Sequence, residues 1–348
     1  MNYFLAFCIF TIILFLYIHI VGEYSRSEDL EIYEMDYINN KQFQEVCNIK
    51  QPVLFEFQTF EPQIFQDMHI QNIANSVDLN IIDANDYWKN LDTIDSISIP
   101  LQTAHKLIET DTNAHFFTEN NTDFVEDANL GTILKPLDDY FKPYGTIQTS
   151  YDFMMGSKQC AGPLRYHTDY RRLVCVSSGK IHVKMTPWKS SKYLDPIKDF
   201  EKYEFRSPVN VWNPQQAHMH SIDKIKFLEF DVLAGYVLYI PPYWWYSIKY
   251  SDSADTCAFV CSYNTIINRV AHIPDIGMYM LQQQNITKKT VKTLKLQENI
   301  NVENTDETAM DNISDATPII VSNDVDDALK ILENRTPTMD LTMSKSMI

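Results

Sequence analysis

The sequence of 348 residues contains little glycine and little positive charge. It has 8 glycines, and 46 acidic residues outnumber 29 lysines and arginines, so the formal net charge is −17 at pH 7. Such a surface repels a phosphate backbone, and no cluster of basic residues offsets it, because Arg171 and Arg172 form only a pair. The composition therefore argues against a nucleic-acid partner.

No Cys-x-x-Cys pair occurs in the chain. The six cysteines are Cys8, Cys47, Cys160, Cys175, Cys257 and Cys261. Structural zinc sites use closely spaced cysteines, so this spacing argues against one. Cys257 and Cys261 could share one face of a strand, and we interpret them as buried free thiols.

Residues 3–21 form an apolar run without a charged side chain. Roughly 20 apolar residues span a bilayer as a helix. A cleaved signal peptide would need a basic start and a small-residue cleavage site, and a core helix is rarely apolar on all sides. We therefore predict an uncleaved single-pass membrane anchor at residues 1–22, of undetermined orientation, and a polar linker at residues 23–30.

Residues 31–284 are predicted to form one globular domain, and residues 285–348 an acidic tail. Helical patterns occur at 36–47, 67–76 and 98–109. Strand patterns separated by turns follow at 149–155, 166–176, 180–185, 227–232, 236–240, 246–250 and 258–263. Many short strands indicate a sandwich or a closed barrel. From residue 301 onward, ten acidic residues face three basic ones, which predicts a largely disordered tail.

Two segments carry the residues that could support chemistry. Residues 162–169 read GPLRYHTD and present His167 and Asp169 at positions i and i+2. Residues 235–246 read GYVLYIPPYWWY and end at Tyr246. A His-x-Asp pair and a distant histidine form the facial triad that holds non-haem Fe(II) and leaves positions open for oxygen and a co-substrate.

This series of segments resembles the JmjC-like branch of the cupin superfamily. These are Fe(II)/2-oxoglutarate protein hydroxylases related to the asparaginyl hydroxylase that modifies hypoxia-inducible factor. The resemblance covers about residues 31–270, and the glycine-to-Trp-Trp segment is its most specific part. It implies a mainly β fold, a double-stranded β-helix or jelly-roll barrel with flanking helices, with iron inside one end. It also implies Fe(II) and 2-oxoglutarate as cofactors.

Three positions depart from the pattern of that family. The distal iron ligand is a histidine directly after the Trp-Trp pair, where this chain has Tyr246. The lysine that grips 2-oxoglutarate lies two residues after the glycine of the second strand, where this chain has Ile181. Leu164 stands where a hydroxylated residue often assists. Residues 180–185 alternate between polar and apolar, which places Lys180 and Lys184 on the face opposite Ile181.

These departures predict that the usual reaction is absent or altered, and we assign no catalytic residue. The leading hypothesis is a membrane-anchored cupin-like module, non-catalytic or atypical in its chemistry, that binds a ligand or a protein partner or has a structural role. His167 and Asp169 would then be a hydrogen-bonded pair left in a degenerate barrel. The alternative is an Fe(II)/2-oxoglutarate protein hydroxylase in which His167 and Asp169 bind iron and Tyr246, His218 or His220 completes the metal site. A third hypothesis is a jelly roll that binds a sugar or another small molecule without metal.

Overall fold

The computed structural model describes residues 2–73, 76–89, 94–252 and 255–286. The predicted acidic tail lies outside the described residues, except for its first two positions. The prediction for the tail therefore stays a prediction.

Short helices precede and follow a body of β-strands. The helices are α1 (Asn2–Glu23), α2 (Asn40–Cys47), α3 (Pro62–Asp67), α4 (Asp86–Lys89), α5 (Leu101–Thr110), α6 (Thr122–Asp127), α7 (Gly131–Leu134), α8 (Leu137–Phe141), α9 (Met219–Ile222), α10 (Ile266–Ala271) and α11 (Ile273–Ile286). The strands are β1 (Tyr33–Glu34), β2 (Val53–Glu56), β3 (Asp78–Asp83), β4 (Ile97–Pro100), β5 (Phe116–Thr118), β6 (Thr146–Gly156), β7 (Arg165–Tyr166), β8 (Arg171–Ser178), β9 (Lys180–Thr186), β10 (Ile197–Asp199), β11 (Glu204–Arg206), β12 (Leu228–Leu233), β13 (Tyr236–Ile240), β14 (Trp245–Tyr250) and β15 (Cys257–Thr265).

The strands form two large sheets. One has nine strands in the order β1-β2-β13-β8-β15-β6-β5-β3-β4, and the other has six in the order β10-β11-β7-β14-β9-β12. The β1–β2 pair is parallel, whereas the other pairings are antiparallel. The predicted mainly β fold with flanking helices is confirmed, and two such sheets are consistent with a jelly-roll barrel.

Three apolar clusters hold these layers together. The middle cluster joins Val174 and Leu238 of the large sheet to Val183 and Ile248 of the small sheet, so the two sheets pack face to face. A second cluster covers the other face of the large sheet with the helices α2, α5, α6 and α8. The third, which includes Trp245, covers the other face of the small sheet.

The strand predictions agree with the observed strands. Residues 166–176, predicted as a strand pair or as one long bent strand, form a pair, β7 and β8, separated by the loop at residues 167–170. The helices predicted at 36–47 and 98–109 correspond to α2 and α5. The helix predicted at 67–76 is wrong, because α3 ends at Asp67 and only a short 3-10 turn follows at Ile70–Asn72. His69 is extended there, which turns Ile70 and Ile73 into the core.

Helix α1 is long and apolar enough to cross a membrane. Its segment Tyr3–Glu23 has a mean hydropathy of 2.7 and is 0% buried. A signal sequence near an N-terminus has the same length and composition, so these two properties alone do not separate an anchor from a leader.

The C-terminal end of α1 lies against the β-domain. Lys50 Nζ donates to the backbone carbonyl oxygens of Gly22 (2.8 Å), Glu23 (3.1 Å) and Ser25 (3.0 Å). The Arg26 guanidinium lies 4.1 Å from the ring centres of both Trp188 and Tyr243. The segment predicted as a linker therefore packs on the domain through its first residues.

The turn at Gly179, between β8 and β9, allows a prediction about stability. Gly179 has φ +71°, and a Cβ there would lie 2.8 Å from the Cα atom of Thr256. Gly145 has φ +76° but no atom within 4 Å of such a Cβ. Gly145→Ala should cost about 1–2 kcal/mol for the left-handed backbone alone. Gly179→Ala should cost at least about 1 kcal/mol more, because the backbone of Thr256 must move.

Denaturant unfolding of the two variants measures this difference in the free energy of unfolding. Equal losses for Gly145→Ala and Gly179→Ala would contradict the close approach of Thr256.

Candidate functional site

The structure brings together the three residues that the sequence nominates as metal ligands. His167 and Asp169 lie in the loop between β7 and β8, and Tyr246 is the second residue of β14. Tyr246 is paired with Arg165 of β7, and its ring centre lies 6.1 Å from that of His167. All three residues line one cavity of about 180 Å³.

His167 is buried and presents only one nitrogen to the cavity. Its Nε2–H donates to the carbonyl oxygen of Ile240 (3.0 Å), which can only accept. Nδ1 has no hydrogen-bond partner in the described part of the chain and lies 3.8 Å from Oδ2 of Asp169. Burial lowers the pKa of His167 to about 3, so the imidazole is neutral at physiological pH.

Asp169 already has a partner for each carboxylate oxygen. Oδ1 accepts from Asn264 Nδ2 at 3.0 Å, and Oδ2 accepts from Arg172 Nη1 at 3.2 Å. Burial alone would raise the pKa of Asp169, but His167, Arg172 and Asn264 outweigh it and hold that pKa below its usual value. The carboxylate is therefore charged, and its counter-charge is the guanidinium of Arg172.

Tyr246 adds a neutral phenol to the site. Burial raises its pKa above the usual value near 10, so the hydroxyl keeps its proton. Beside it, Arg165 forms ion pairs with Glu119 and with Glu204 (3.3 Å). Burial lowers the pKa of Arg165, but the two carboxylates outweigh it and raise that pKa overall. The interior of the barrel thus carries a second charged cluster next to Asp169.

The cavity around His167 adjoins a wider one of about 390 Å³. Asn120, Arg172 and Lys202 line both cavities. Asp152 lines the outer cavity, and its carboxylate accepts from the backbone nitrogens of Asn120 (3.0 Å) and Asn121 (2.7 Å). The two cavities therefore lie side by side and share part of a charged lining.

The positions that should hold 2-oxoglutarate contain apolar side chains. Ile181 is fully buried and packs in the cluster between the two sheets. Lys180 and Lys184 lie on the other face of β9, where they form ion pairs with Asp231 (3.0 Å) and Glu229 (3.5 Å), as the alternation predicts. Leu164 packs with Trp245 on the outer side of the small sheet.

The two loop histidines do not complete the site. His218 Nδ1 lies 3.8 Å from Asp195 Oδ2, and His220 belongs to the short helix α9. Neither histidine lines the cavity that contains His167. The hypothesis that one of them is the third ligand finds no support in their position.

The residues present do not fit an iron centre of the facial-triad type. Such a centre needs two imidazoles and a carboxylate with free lone pairs on one side. Here one imidazole nitrogen points inward, both carboxylate oxygens accept hydrogen bonds, and the third group is a protonated phenol. No group of three His, Cys, Asp or Glu residues that could hold a metal occurs among the described residues.

Sequence reasoning missed the charged groups that surround the pair. Arg165 and Arg172 flank the His-x-Asp triplet at a distance of two or three residues, and that proximity was the available signal. Glu119 and Glu204 are far away along the chain, and no local pattern marks them.

A second cavity, of about 450 Å³, opens elsewhere on the domain. Its lining combines two indoles with side-chain amides and no carboxylate among the described residues: Trp88, Trp212, Asn85, Asn113, Asn210, Asn213, Gln159 and Gln215, beside His115 and Lys249. Trp212 is fixed by a hydrogen bond from its Nε1 to Ser247 Oγ (2.8 Å). Ala114 and Gln159 line the same cavity with φ of 60° and 61°, a strained backbone for residues other than glycine.

Comparisons with known proteins agree with this architecture. The family model described as "Cupin-like domain" matches residues 33–269. JmjC domain-containing protein D of Dictyostelium discoideum is 30% identical over 95 residues, which cover 27% of this chain. The matched segment spans only 21% of that protein, so most of its length has no counterpart in the alignment.

The neutral, buried state of His167 predicts a stability change with pH. In the unfolded chain this histidine takes up a proton below about pH 6.5, whereas in the folded state it does so only near pH 3. The unfolded state therefore binds more protons in this window, and stability falls as pH falls, by at most about 1.4 kcal/mol per pH unit.

His167→Gln should flatten the pH dependence of the unfolding free energy between about pH 6 and 4. The matched control is the same replacement at an exposed histidine, His69→Gln. An identical slope in wild type and His167→Gln would refute the neutral, buried imidazole.

Proposed function

Because the chain belongs to the cupin-like domain family, we propose that it is a non-catalytic member of that family, a binding module tethered to a membrane. In this proposal Arg172 takes the place of iron as the positive charge opposite Asp169. The barrel then serves as a rigid scaffold whose clefts and surfaces bind a ligand or a protein partner.

The single observation that carries the proposal is the contact between Arg172 and Asp169. The guanidinium donates to Asp169 Oδ2 (3.2 Å) and to Ser262 Oγ (3.3 Å). A metal bound to Asp169 would place a second positive charge beside this guanidinium. Breaking a fully buried ion pair typically costs about 3–5 kcal/mol; the side chains of Arg172 and Asp169 are 21% and 23% exposed, so the cost here is smaller. Metal binding would have to overcome that cost.

The co-substrate side gives independent support. A lysine at the position of Ile181 would bind a carboxylate by a charge-assisted hydrogen bond, worth about 1.5–3 kcal/mol. Ile181 is fully buried among apolar side chains and offers no donor. The distal histidine and the co-substrate lysine of the family are both missing, which favours a protein without the family's oxygen chemistry.

The hydroxylase alternative requires several changes at once. Arg172 would have to leave Asp169, His167 Nε2 would have to leave Ile240 or coordinate through Nδ1, and Tyr246 would have to lose its proton against the effect of burial. Two of these changes oppose the folded structure, because the contact between Arg172 and Asp169 would have to break and burial disfavours the phenolate of Tyr246. The non-catalytic proposal needs none of them.

The contacts at the end of α1 favour a retained anchor over a cleaved leader. Lys50 donates to three carbonyl oxygens at residues 22–25, and Asn268 Nδ2 donates to Glu23 Oε2 (3.3 Å). Burial lowers the pKa of Lys50, so its ammonium group depends on these acceptors. Cleavage after the apolar run would remove some of the groups that Lys50 and Asn268 bind. A leader peptide is cut away, so a folded domain has no need to bind its end.

The cleft of Trp88 and Trp212 favours a second candidate function, the binding of a saccharide without metal. Indole faces stack on the apolar faces of sugar rings, and side-chain amides both donate to and accept from hydroxyl groups. The strained backbone at Ala114 and Gln159 supports a functional role for this cleft, because strain clusters at binding sites.

The iron-free proposal predicts the metal content of the full-length chain. Purified in detergent with Fe(II) under anaerobic conditions, wild type should hold no stoichiometric iron and show no rise in Tm with 2-oxoglutarate. The double variant Arg172→Gln, Tyr246→His should gain iron binding, because it frees Asp169 and restores a second imidazole.

The single variants Arg172→Gln and Tyr246→His are the matched controls, and each should bind iron less tightly than the double variant. One iron per chain in wild type, lost in His167→Ala, would overturn the proposal in favour of the hydroxylase.

The saccharide candidate predicts weak, specific binding of neutral oligosaccharides, measured by ligand-observed NMR on the full-length chain. Trp88→Ala should lower the affinity roughly tenfold, because a stacked aromatic contact contributes about 0.5–1.5 kcal/mol beyond the area it buries. Phe60→Ala, at an exposed aromatic residue outside the cleft, should change nothing. Equal losses in both variants, or no binding in a broad panel, would reject this candidate.

A further inference from the structure

Exposed apolar side chains surround the point where α1 meets the domain. We call this set the basal patch; its members are between 38% and 102% exposed, and they are Ile49, Tyr144, Ile147, Ile266, Val270 and Ile273. Soluble proteins rarely expose a large contiguous apolar area without a use for it. The patch therefore calls for an apolar surface that covers it.

Three contacts place the basal patch around the end of α1. Ile49 precedes Lys50, whose Nζ donates to the backbone carbonyl oxygens of Gly22 and Glu23 at the end of α1. Helix α10 meets the end of α1 through Asn268, which bonds Glu23, and it carries Ile266 and Val270 four residues apart, on one side of the helix. The backbone nitrogen of Ile266 donates to the carbonyl oxygen of Gly145 (3.3 Å). This bond places the segment that contains Tyr144 and Ile147 beside the start of α10.

The angle between α1 and the domain is fixed by further contacts past the helix. The Arg26 guanidinium lies between the rings of Trp188 and Tyr243, 4.1 Å from each. The Tyr24 hydroxyl donates to the carbonyl oxygen of Ala271, and the Lys189 backbone nitrogen donates to Glu28 Oε2 (3.1 Å). A domain held in this way presents the same side to the membrane at all times.

We propose that the basal patch lies in the headgroup region of the bilayer that α1 spans. This inference rests on the proposed anchor and goes beyond it, since a flexible tether would leave the domain free of the surface. The occupant is a lipid surface, because the patch lies around the end of α1, whose apolar segment is itself 0% buried. Tyrosine is typical of the membrane interface, and apolar side chains on a surface helix are buried at the boundary between headgroups and acyl chains.

The far end of the domain supplies a control position. Leu233 is half exposed and precedes Ala234. The backbone nitrogen of Ala234 donates to the carbonyl oxygen of Gly179, which follows the end of β8 that is farther from α1. Arg171, at the near end of β8, bonds Asn48, close to Lys50. Eight residues of strand separate the two ends, about 25 Å.

The test uses the full chain in nanodiscs and an environment-sensitive fluorophore on single cysteines. For labels on the domain, Cys8 is replaced by serine so that the introduced cysteine is the accessible one. The other five cysteines are buried and need no replacement. Labels at Ile266→Cys and Ile147→Cys should lose at least half their fluorescence when the lipids carry a spin label at the headgroup. A label at Leu233→Cys should lose none. A label at native Cys8 should be quenched by lipids that are spin-labelled in the acyl chain.

The outcomes separate the anchor from the basal patch and a lipid surface from a protein surface. Quenching at Cys8 with none at positions 147 and 266 would overturn the basal patch and leave the anchor intact. Absence of quenching at Cys8 would overturn the anchor and the patch together. Protection of position 266 from aqueous iodide without quenching by lipid would identify a protein surface, such as a second copy of this chain, and would reject the lipid surface.

Discussion

The balance of buried charge at one end of the barrel is the constraint on which the rest of the site depends. Asp169 and Glu119 are carboxylates in an apolar scaffold, and each is matched by a guanidinium, from Arg172 and Arg165. A buried charge without a partner is costly, so removing one member of either pair should destabilise the fold. The same end of a barrel with a resident metal would obtain its positive charge from the ion. In this chain the positive charge beside Asp169 is the guanidinium of Arg172.

Much of the fold could be predicted from the sequence because it depends on local periodicity. The alternation at residues 180–185 predicted the orientation of Ile181, and the strand patterns from residue 149 onward predicted most of the β-strands. The helix predicted at 67–76 failed for a tertiary reason, since the extended backbone at His69 allows Ile70 and Ile73 to reach the core. Local propensity carries no information about that packing.

The site could be predicted only in part. His167, Asp169 and Tyr246 were found because a motif names them, and the structure places them in one cavity. The partners that decide their chemistry come from strands far apart in sequence, and no spacing rule connects Glu119 to Arg165 or Asn264 to Asp169. Arg172 lies only three residues after Asp169, so the sequence does place a cation near the pair, but its contact with the carboxylate is evident only in the folded chain.

The bonds from Lys50 to the last turn of α1 also have a mechanical consequence. Lys50 stands three residues before β2, which is hydrogen-bonded to β13 in the middle of the large sheet. A displacement of α1 would pass through this lysine into the sheet that carries Ile240, whose carbonyl oxygen accepts the hydrogen bond from His167. The position of α1 and the geometry of the barrel mouth are therefore linked by one series of contacts.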